Sequence, residues 1–185
     1  MPTWRVDVAT GLDGTRSVGR APGLTVAVDN DLGVGRLRVR AATDAMELTV
    51  LGECGPDDAG HLVICHPFPD GTPLYSHKCL MPASGSLVLG DEVVRFEPGR
   101  ATLALDDHKG HYPSPMVYDW VTALGRDAEG RVVGCNLTDN QVRDPGTYNE
   151  NALWIGTDVH RLPPVHVERP GGVHRPWRIT DTDGM

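Results

Sequence analysis

Apolar and polar residues alternate in short segments along most of the chain. In residues 36–51 the alternation runs on each side of Thr43–Asp44 but changes phase there, which predicts two strands joined by a turn. Further short apolar or alternating segments, bounded by Gly, Pro or Asp, are predicted to be strands at 24–29, 61–65, 74–80, 85–89, 93–96, 101–105, 116–124, 131–137, 152–155, 165–168 and 177–180.

The turn signals between these segments define the fold class. GRDAEG at residues 125–130 is a good hairpin connection between two of them. The 185 residues include 22 Gly and 15 Pro, which leaves little room for long helices. We therefore predict an almost helix-free, all-β chain that forms an antiparallel barrel or sandwich.

Composition excludes several classes of protein. With 17 basic and 25 acidic residues the formal net charge is −8, which argues against binding to a nucleic-acid backbone. No apolar run reaches the roughly 20 residues that span a bilayer, and the N-terminal residues lack an apolar secretory core. We expect one cytoplasmic β-rich domain over residues 1–185.

The segment LDDHKGHYPSPMVYDW, residues 105–120, is unusually rich in ionisable residues and is predicted to be a loop. It could be only a polar surface loop. Alternatively, adjacent Asp and His side chains could tune each other for proton transfer. The ionisable residues of this segment are Asp106, Asp107, His108, Lys109, His111, Tyr112, Tyr118 and Asp119.

A second polar group precedes the predicted strand at 152–155. Asn149, Glu150 and Asn151 could form a turn and nothing more, or could present polar groups to a pocket. Asn136 lies on a strand with apolar neighbours, so its amide needs buried partners. We expect the hairpin and the following strand to bring together Lys109, Asn136, Glu150 and Trp154, where Lys109 and Glu150 could form a partly buried pair.

The cysteines and histidines do not form a recognisable metal signature. The four cysteines include no Cys-x-x-Cys pair and are expected to be reduced thiols. On a strand His77 and Cys79 would share a face, but the spacing matches no closed zinc pattern. We expect no bound metal and no cofactor; if a metal were found, the first ligands to test would be His77, Cys79, His108 and His111.

Several segments together resemble the domain of unknown function family 2804. They are PLYSHKCLMPASGSL, DDHKGHYPSPMVYDWVTALGRDAEGRVVGCNLTDN, YNENALWIG, LPPVHVE and PWRITDTDG. Tyr118-Asp119-Trp120 stands where many members have two tryptophans separated by one residue. The positions that fall on polar or special residues of the family pattern are Lys78, Lys109, Gly110, Tyr112, Pro113, Trp120, Asn136, Asn149, Glu150 and Asn151.

The resemblance implies a lipocalin-like fold that is distantly similar to hydroxyneurosporene synthase, of the carotenoid hydratase group. Those relatives set two barrel-like halves side by side and act on apolar, terpenoid-like molecules. Family members are usually longer, so we expect this chain to be part of a two-barrel architecture that lacks strands at both ends. An exposed sheet edge near residues 177–180 would then favour self-association.

Three functions remain open. In the first, the barrel binds an apolar or amphipathic small molecule, and the ligand-binding residues are Lys78, Lys109, Tyr112, Tyr118, Trp120, Asn136, Asn149, Asn151 and Trp154. In the second, the protein is a cofactor-independent hydratase, isomerase or cyclase, in which Asp107 or Glu150 protonates an alkene and His108 sets the protonation. In the third, the polar loop only holds the barrel together.

Overall fold

The computed structural model describes residues 5–8, 15–55, 60–140 and 142–182. The chain divides into two compact units. Unit 1 comprises Met1–Ala59 and Met81–Leu103, and unit 2 comprises Gly60–Leu80 and Ala104–Met185. The expectation of one domain within a longer two-barrel protein stays a prediction.

Unit 1 is an antiparallel meander in which consecutive strands pair with each other. The turn predicted at Thr43–Asp44 is confirmed, because β4 and β5 pair on each side of it. Its strands are β1 (Arg5–Val8), β2 (Arg16–Ala21), β3 (Leu24–Asp31), β4 (Arg36–Ala42) and β5 (Met46–Glu53).

The next strands show one difference from the prediction. Beyond β6 (His61–Pro67), the two strands predicted at 74–80 and 85–89 are a single strand, β7 (Pro73–Leu89). Its first part pairs with β6, and its second part pairs with β5 and with β8 (Glu92–Phe96). The pairing continues through Gly85, whose φ of 143° brings its backbone so close to the Thr49 carbonyl that a Cβ would collide.

Unit 2 contains β6, the first part of β7, and most of β9 (Thr102–Gly110), which pairs with β7. The GRDAEG hairpin is confirmed between the first two strands of a separate four-stranded sheet. That sheet has the order β10 (Asp119–Arg126), β11 (Val132–Asp139), β12 (Ala152–Ile155) and β13 (Asp158–Arg161). The last pair is β14 (Val165–Glu168) with β15 (Arg178–Asp181).

The polar segment after Leu105 differs from the expected loop. Asp106 to Gly110 continue β9, so the segment is a strand as far as Gly110. Because successive strand residues point to opposite faces, Asp106 and His108 share one face and Asp107 and Lys109 share the other. This alternation decides which charges meet.

Two apolar clusters lie in the core of unit 2, as far as its residues are described. Leu62, Leu80, Ala152 and Trp154 pack together, and the buried Trp154 indole donates its Nε1–H to the Gly60 carbonyl at 2.9 Å. A second cluster consists of Phe68, Leu74 and Val142. These clusters fix the strands that carry the polar residues described next.

The predicted fold class is confirmed. Among the described residues the one α-helix is α1 (Pro145–Tyr148), and the pairings with a defined register are all antiparallel. The sheet with the most strands is open, as expected of an incomplete barrel, because its strand order begins at β1 and ends at β6. No helix in the described ranges has the length and apolar character to cross a membrane. Self-association through β15 stays a prediction.

Candidate functional site

A buried ion pair lies at the centre of the polar residues of unit 2. Nζ of Lys78, on β7, is 3.3 Å from Oε2 of Glu150, which immediately precedes the Asn151 that leads into β12. The two side chains are 5% and 6% exposed. Opposite charges this deeply buried must compensate each other and find hydrogen bonds, because neither is well solvated.

The Glu150 carboxylate is held by partners from several strands. Ser76 donates its hydroxyl to Oε2 and Thr138 donates its hydroxyl to Oε1, both at 2.9 Å. His66, which is 1% exposed, has Nε2 at 3.4 Å from Oε2, but the alignment is too poor for a hydrogen bond. The Nδ1 atom of His66 also has no hydrogen-bond partner among the described residues.

Two partly exposed residues of β9 complete a four-residue charged cluster of Lys78, Glu150, Asp106 and His108. Lys78 donates to Oδ1 of Asp106 at 2.5 Å, and Nε2 of His108 lies 2.9 Å from the same oxygen. On its other side, Nδ1 of His108 is 2.6 Å from the Tyr112 hydroxyl. The side chains of His108 and Asp106 are 26% and 31% exposed, so this end of the cluster reaches solvent.

The cluster fixes the protonation of its members. Burial tends to raise the pKa of Glu150 and of Asp106, but two positive groups outweigh it and lower both. They are Lys78 and His108, whose Nε2 is 2.9 Å from Oδ1 of Asp106 and 3.6 Å from Oε2 of Glu150. The close contact with Asp106 and the nearby Glu150 carboxylate raise the pKa of His108 to about 9. At pH 7 the cluster therefore combines two carboxylates with one imidazolium and the Lys78 ammonium group, and these charges balance.

Buried amides hold the strands on which the cluster depends. Asn136 accepts from the Trp120 indole N–H at 2.7 Å and donates to the Glu150 backbone carbonyl at 3.0 Å. Asn151, which is fully buried, accepts from the Thr138 backbone N–H at 2.7 Å. The expected approach of Asn136 and Glu150 is therefore confirmed, and these hydrogen bonds supply the partners that the buried Asn136 and Asn151 amides need.

A cavity of about 140 Å³ adjoins the cluster, and we call it the Lys78 pocket. Its polar side is formed by Lys78, Asp106, Asn136 and Thr122. The remainder is mostly apolar and comes from β7, β9, β10, β11 and β12. Those residues are Cys79, Leu80, Ala104, Leu105, Trp120, Leu124, Cys135 and Trp154.

The expected pair of Lys109 and Glu150 is wrong. Lys109 is 72% exposed and pairs with Asp107 at 3.2 Å, and its Nζ stands 5.9 Å from the centre of the Tyr75 ring. The physical reason is strand alternation, which turns Asp107 and Lys109 away from the face that carries Asp106 and His108. Lys78 is the buried lysine instead.

The other predicted site residues fall into two groups. Buried ones contribute to the network or the pocket: Lys78, Asn136, Asn149, Glu150, Asn151 and Trp154. Tyr112, Tyr118 and Trp120 are half-exposed, at 50%, 53% and 48%, and of these Trp120 lines the pocket. Whether any of them, or Asp107 or His108, acts in catalysis or binding stays a prediction.

Four residues of the charged cluster and its partners were not selected as site residues from the sequence: His66, Ser76, Thr138 and Asp106, the last of which was noted only as an ionisable residue of segment 105–120. A usable signal existed for two of them, because Ser76 is two residues from Lys78 and Asp106 is two residues from His108 on their strands. No local signal marked His66 or Thr138, since both reach Glu150 only through tertiary pairing.

The charged cluster is poorly suited to a metal ion. Its two carboxylates are already neutralised by Lys78 and His108, and an additional cation would meet two positive groups. The group of His61, His77 and Cys79 has its ligand atoms together on the other face of β7.

Comparison with known proteins gives one match. The sequence model of a family described as a domain of unknown function, DUF2804, matches residues 2–185. No curated protein and no solved structure matches the chain significantly.

Proposed function

The chain belongs to the DUF2804 family, and from that premise we propose that it binds a small amphipathic molecule in the Lys78 pocket. The ligand's apolar part lies against Trp120 and Leu124, and its polar end lies against Lys78 and Asp106. The relationship to carotenoid hydratases remains an expectation that this proposal does not need.

The observation that carries the proposal is the composition of the pocket wall. Trp120 is 48% exposed and Leu124 is 45% exposed, yet both line a cavity whose floor includes the buried Trp154 and Lys78. Concave, mostly apolar surfaces with a few converging polar groups are typical of small-molecule sites. A surface that only stabilises the fold would not need exposed Trp and Leu side chains around a buried ammonium group.

The dimensions of the pocket limit the ligand. A cavity of roughly 150 Å³ in another protein holds benzene, so about 140 Å³ accommodates a group of about six carbon atoms. A longer molecule would place only one end inside. This favours a ring or a branched isoprene-sized end over a bulky polycyclic group.

The charge of the cluster limits the polar end of the ligand. Lys78 and His108 already balance Asp106 and Glu150, so a fully charged group would leave one excess charge in a partly buried site. A hydroxyl or carbonyl group can hydrogen-bond to Lys78 or Asp106 without that penalty. We therefore propose a neutral alcohol or carbonyl compound as the ligand class.

Acid catalysis is the second candidate, and one observation favours it with a different acid from the one expected. The carboxyl pKa of Glu150 is lowered, so Glu150 holds no proton at pH 7, and Asp107 faces away from the pocket side of β9. His108 holds its proton, because its pKa is about 9, and it lies beside Asp106, which lines the pocket. A hydratase or isomerase reaction would therefore use His108 as proton donor.

The binding proposal is tested with three probes of equal carbon skeleton: geraniol, geranic acid and geranylamine. Quenching of tryptophan fluorescence reports binding, since Trp120 and Trp154 line the pocket. We expect geraniol to bind more tightly than the acid or the amine. Tighter binding of either ion would contradict the neutral head group, and no binding of any probe would contradict the proposed function.

A matched pair of variants localises the binding. Thr122 and Ala123 are adjacent exposed residues of β10 on opposite faces, and only Thr122 lines the pocket. Thr122→Trp fills the pocket and should weaken geraniol binding roughly tenfold or more, which corresponds to about 1.4 kcal/mol or more. Ala123→Trp should bind as the wild type does. Equal effects of the two variants would place the ligand elsewhere.

A further inference from the structure

Three residues with side chains that ligate metals lie together on the face of β7 that points away from Ser76 and Lys78. His77 and Cys79 are two residues apart on β7 and therefore share that face. The antiparallel register places His61 of β6 directly opposite Cys79. The hairpin of β6 and β7 thus brings His61 to two residues that are 16 and 18 positions away in sequence.

The geometry of the three side chains is close to that of a coordination site. Nδ1 of His61 lies 3.0 Å from Nε2 of His77, and their ring centres are 5.2 Å apart. One ligand atom from each of the three residues lies within 4.8 Å of the other two. With Zn–N distances of about 2.0 Å and Zn–S distances of about 2.3 Å, the ligand atoms of a tetrahedral site are about 3.3–3.5 Å apart. The two imidazole nitrogens are already near that spacing, and the thiol sulfur has to move closer by at most about 1.3 Å.

We propose that His61, His77 and Cys79 bind a zinc ion. Two imidazoles and one thiolate are borderline-soft ligands of the kind that zinc prefers over magnesium or calcium. Three protein ligands leave a fourth position, which water or a small molecule can occupy. The ion would link β6 to β7 on the face opposite the charged cluster.

The surroundings of the three residues favour a coordination site that is open to solvent on one side. Cys79 is fully buried, His77 is half-buried and His61 is exposed, so the fourth position points towards solvent. Tyr75 packs edge-on against His77 with ring centres 6.5 Å apart and restricts its orientation. Lys109, whose positive charge acts on His77, is paired with Asp107, which reduces its repulsion of a cation.

The proposal revises the expectation of no metal, and the reason lies in the register. Spacing rules for zinc sites look for ligand pairs a few residues apart, with a second pair at a set distance. Here one ligand comes from a neighbouring strand, and only the pairing of His61 with Cys79 reveals it.

The test uses the 185-residue chain, stripped of metal by a chelator and then titrated with Co²⁺ as a spectroscopic substitute for Zn²⁺. We expect one Co²⁺ per chain, an absorption band from thiolate-to-cobalt charge transfer, and displacement of Co²⁺ by one equivalent of Zn²⁺. Binding without the thiolate band, or no binding of either ion at micromolar concentration, would overturn the proposal.

Variants assign the ligands. His61→Asn changes an exposed side chain, so the fold should be retained. The loss of a direct ligand should weaken Zn²⁺ binding by roughly 100-fold, because losing even a residue that only hydrogen-bonds to a ligand costs about 10–100-fold in metal affinity. Cys79→Ser should abolish the thiolate band. Cys65→Ser, an exposed thiol on β6, is the matched control and should leave affinity and spectrum unchanged. Equal losses in Cys65→Ser and Cys79→Ser, or unchanged affinity in His61→Asn, would refute the site.

Discussion

Lys78 and Glu150 form a buried ion pair, with Nζ 3.3 Å from Oε2 and both side chains at most 6% exposed. The chain has two lysines, and the second, Lys109, is 72% exposed and pairs with Asp107 at 3.2 Å. The two pairs combine the same kinds of charge in very different surroundings. Their comparison isolates what burial does to the energetics of an ion pair.

Replacing Lys78 should be much more costly than replacing Lys109. Lys78→Met leaves the buried Glu150 carboxylate without its ammonium partner and should lower the free energy of unfolding by about 3–5 kcal/mol. Lys109→Met removes a surface pair and should cost about 1 kcal/mol or less. Urea denaturation at pH 7 measures both.

The double variant Lys78→Met with Glu150→Gln tests the cause of that loss. With both charges removed, no uncompensated charge remains, and the combined cost should be smaller than the sum of the two single costs. Strict additivity, or equal effects of the two lysine variants, would show that the pair is energetically unimportant.

A second prediction concerns the proton on His108. The close contact with Asp106 and, secondarily, the Glu150 carboxylate 3.6 Å away raise its pKa to about 9. Asp106→Asn should therefore lower the pKa of His108 towards its ordinary value of about 6.5, and by more than Glu150→Gln does. Titration of the His108 imidazole signal by NMR measures the shift. An unchanged pKa in both variants would mean that neither carboxylate holds the imidazolium.

Stability should also fall at mildly alkaline pH. The pKa of His108 is higher in the folded chain than in the unfolded chain, so its contribution is complete below pH 6.5 and disappears as the pH rises through about 9. Over that window the free energy of unfolding should decrease by at most about 1.4 kcal/mol per pH unit from this group. Urea denaturation at pH 6 and pH 9 gives the difference.

His108→Gln is the control for the alkaline effect, because it removes the titrating group and should remove most of the decrease. The carboxylates act in the opposite direction: the pKa values of Asp106 and Glu150 are lowered by folding, so their contribution is present above about pH 4.5 and is lost at lower pH. A decrease between pH 6 and 9 that persists unchanged in His108→Gln would assign the effect to other groups.

Local pattern was sufficient to predict most strands and one tertiary relationship. The GRDAEG turn placed β10 beside β11, and β12, the next strand along the chain, then brought Glu150 to Asn136. Both steps depend on strands that follow each other in sequence, which pair with each other in most sheets. The approach of these residues could therefore be predicted from the sequence.

The identity of the buried lysine could not be predicted in the same way. The many polar residues after Leu105 indicated a loop, whereas β7 pairs with this segment and extends β9 to Gly110. Once the segment is a strand, alternation alone selects Asp106 and His108 and excludes Asp107 and Lys109. The strand assignment itself depends on pairing between segments that are distant in sequence, which propensity does not determine.

The last prediction concerns Asn151, whose side chain is fully buried between two backbone groups. Its Oδ1 accepts from the Thr138 N–H at 2.7 Å and its Nδ2 donates to the Pro163 carbonyl at 3.0 Å. Asn151→Asp keeps the shape but sets a charged oxygen against the Pro163 carbonyl, and should cost about 3 kcal/mol of unfolding free energy at pH 7. At pH 3 the protonated Asp can again donate to Pro163, so the difference in unfolding free energy between variant and wild type should narrow.

Asn30→Asp, at a half-buried position of β3, is the control and should change stability by about 0.5 kcal/mol. A loss in Asn151→Asp no larger than that of the control, or one independent of pH, would mean that the Asn151 amide does not hold β11 to the segment before β14.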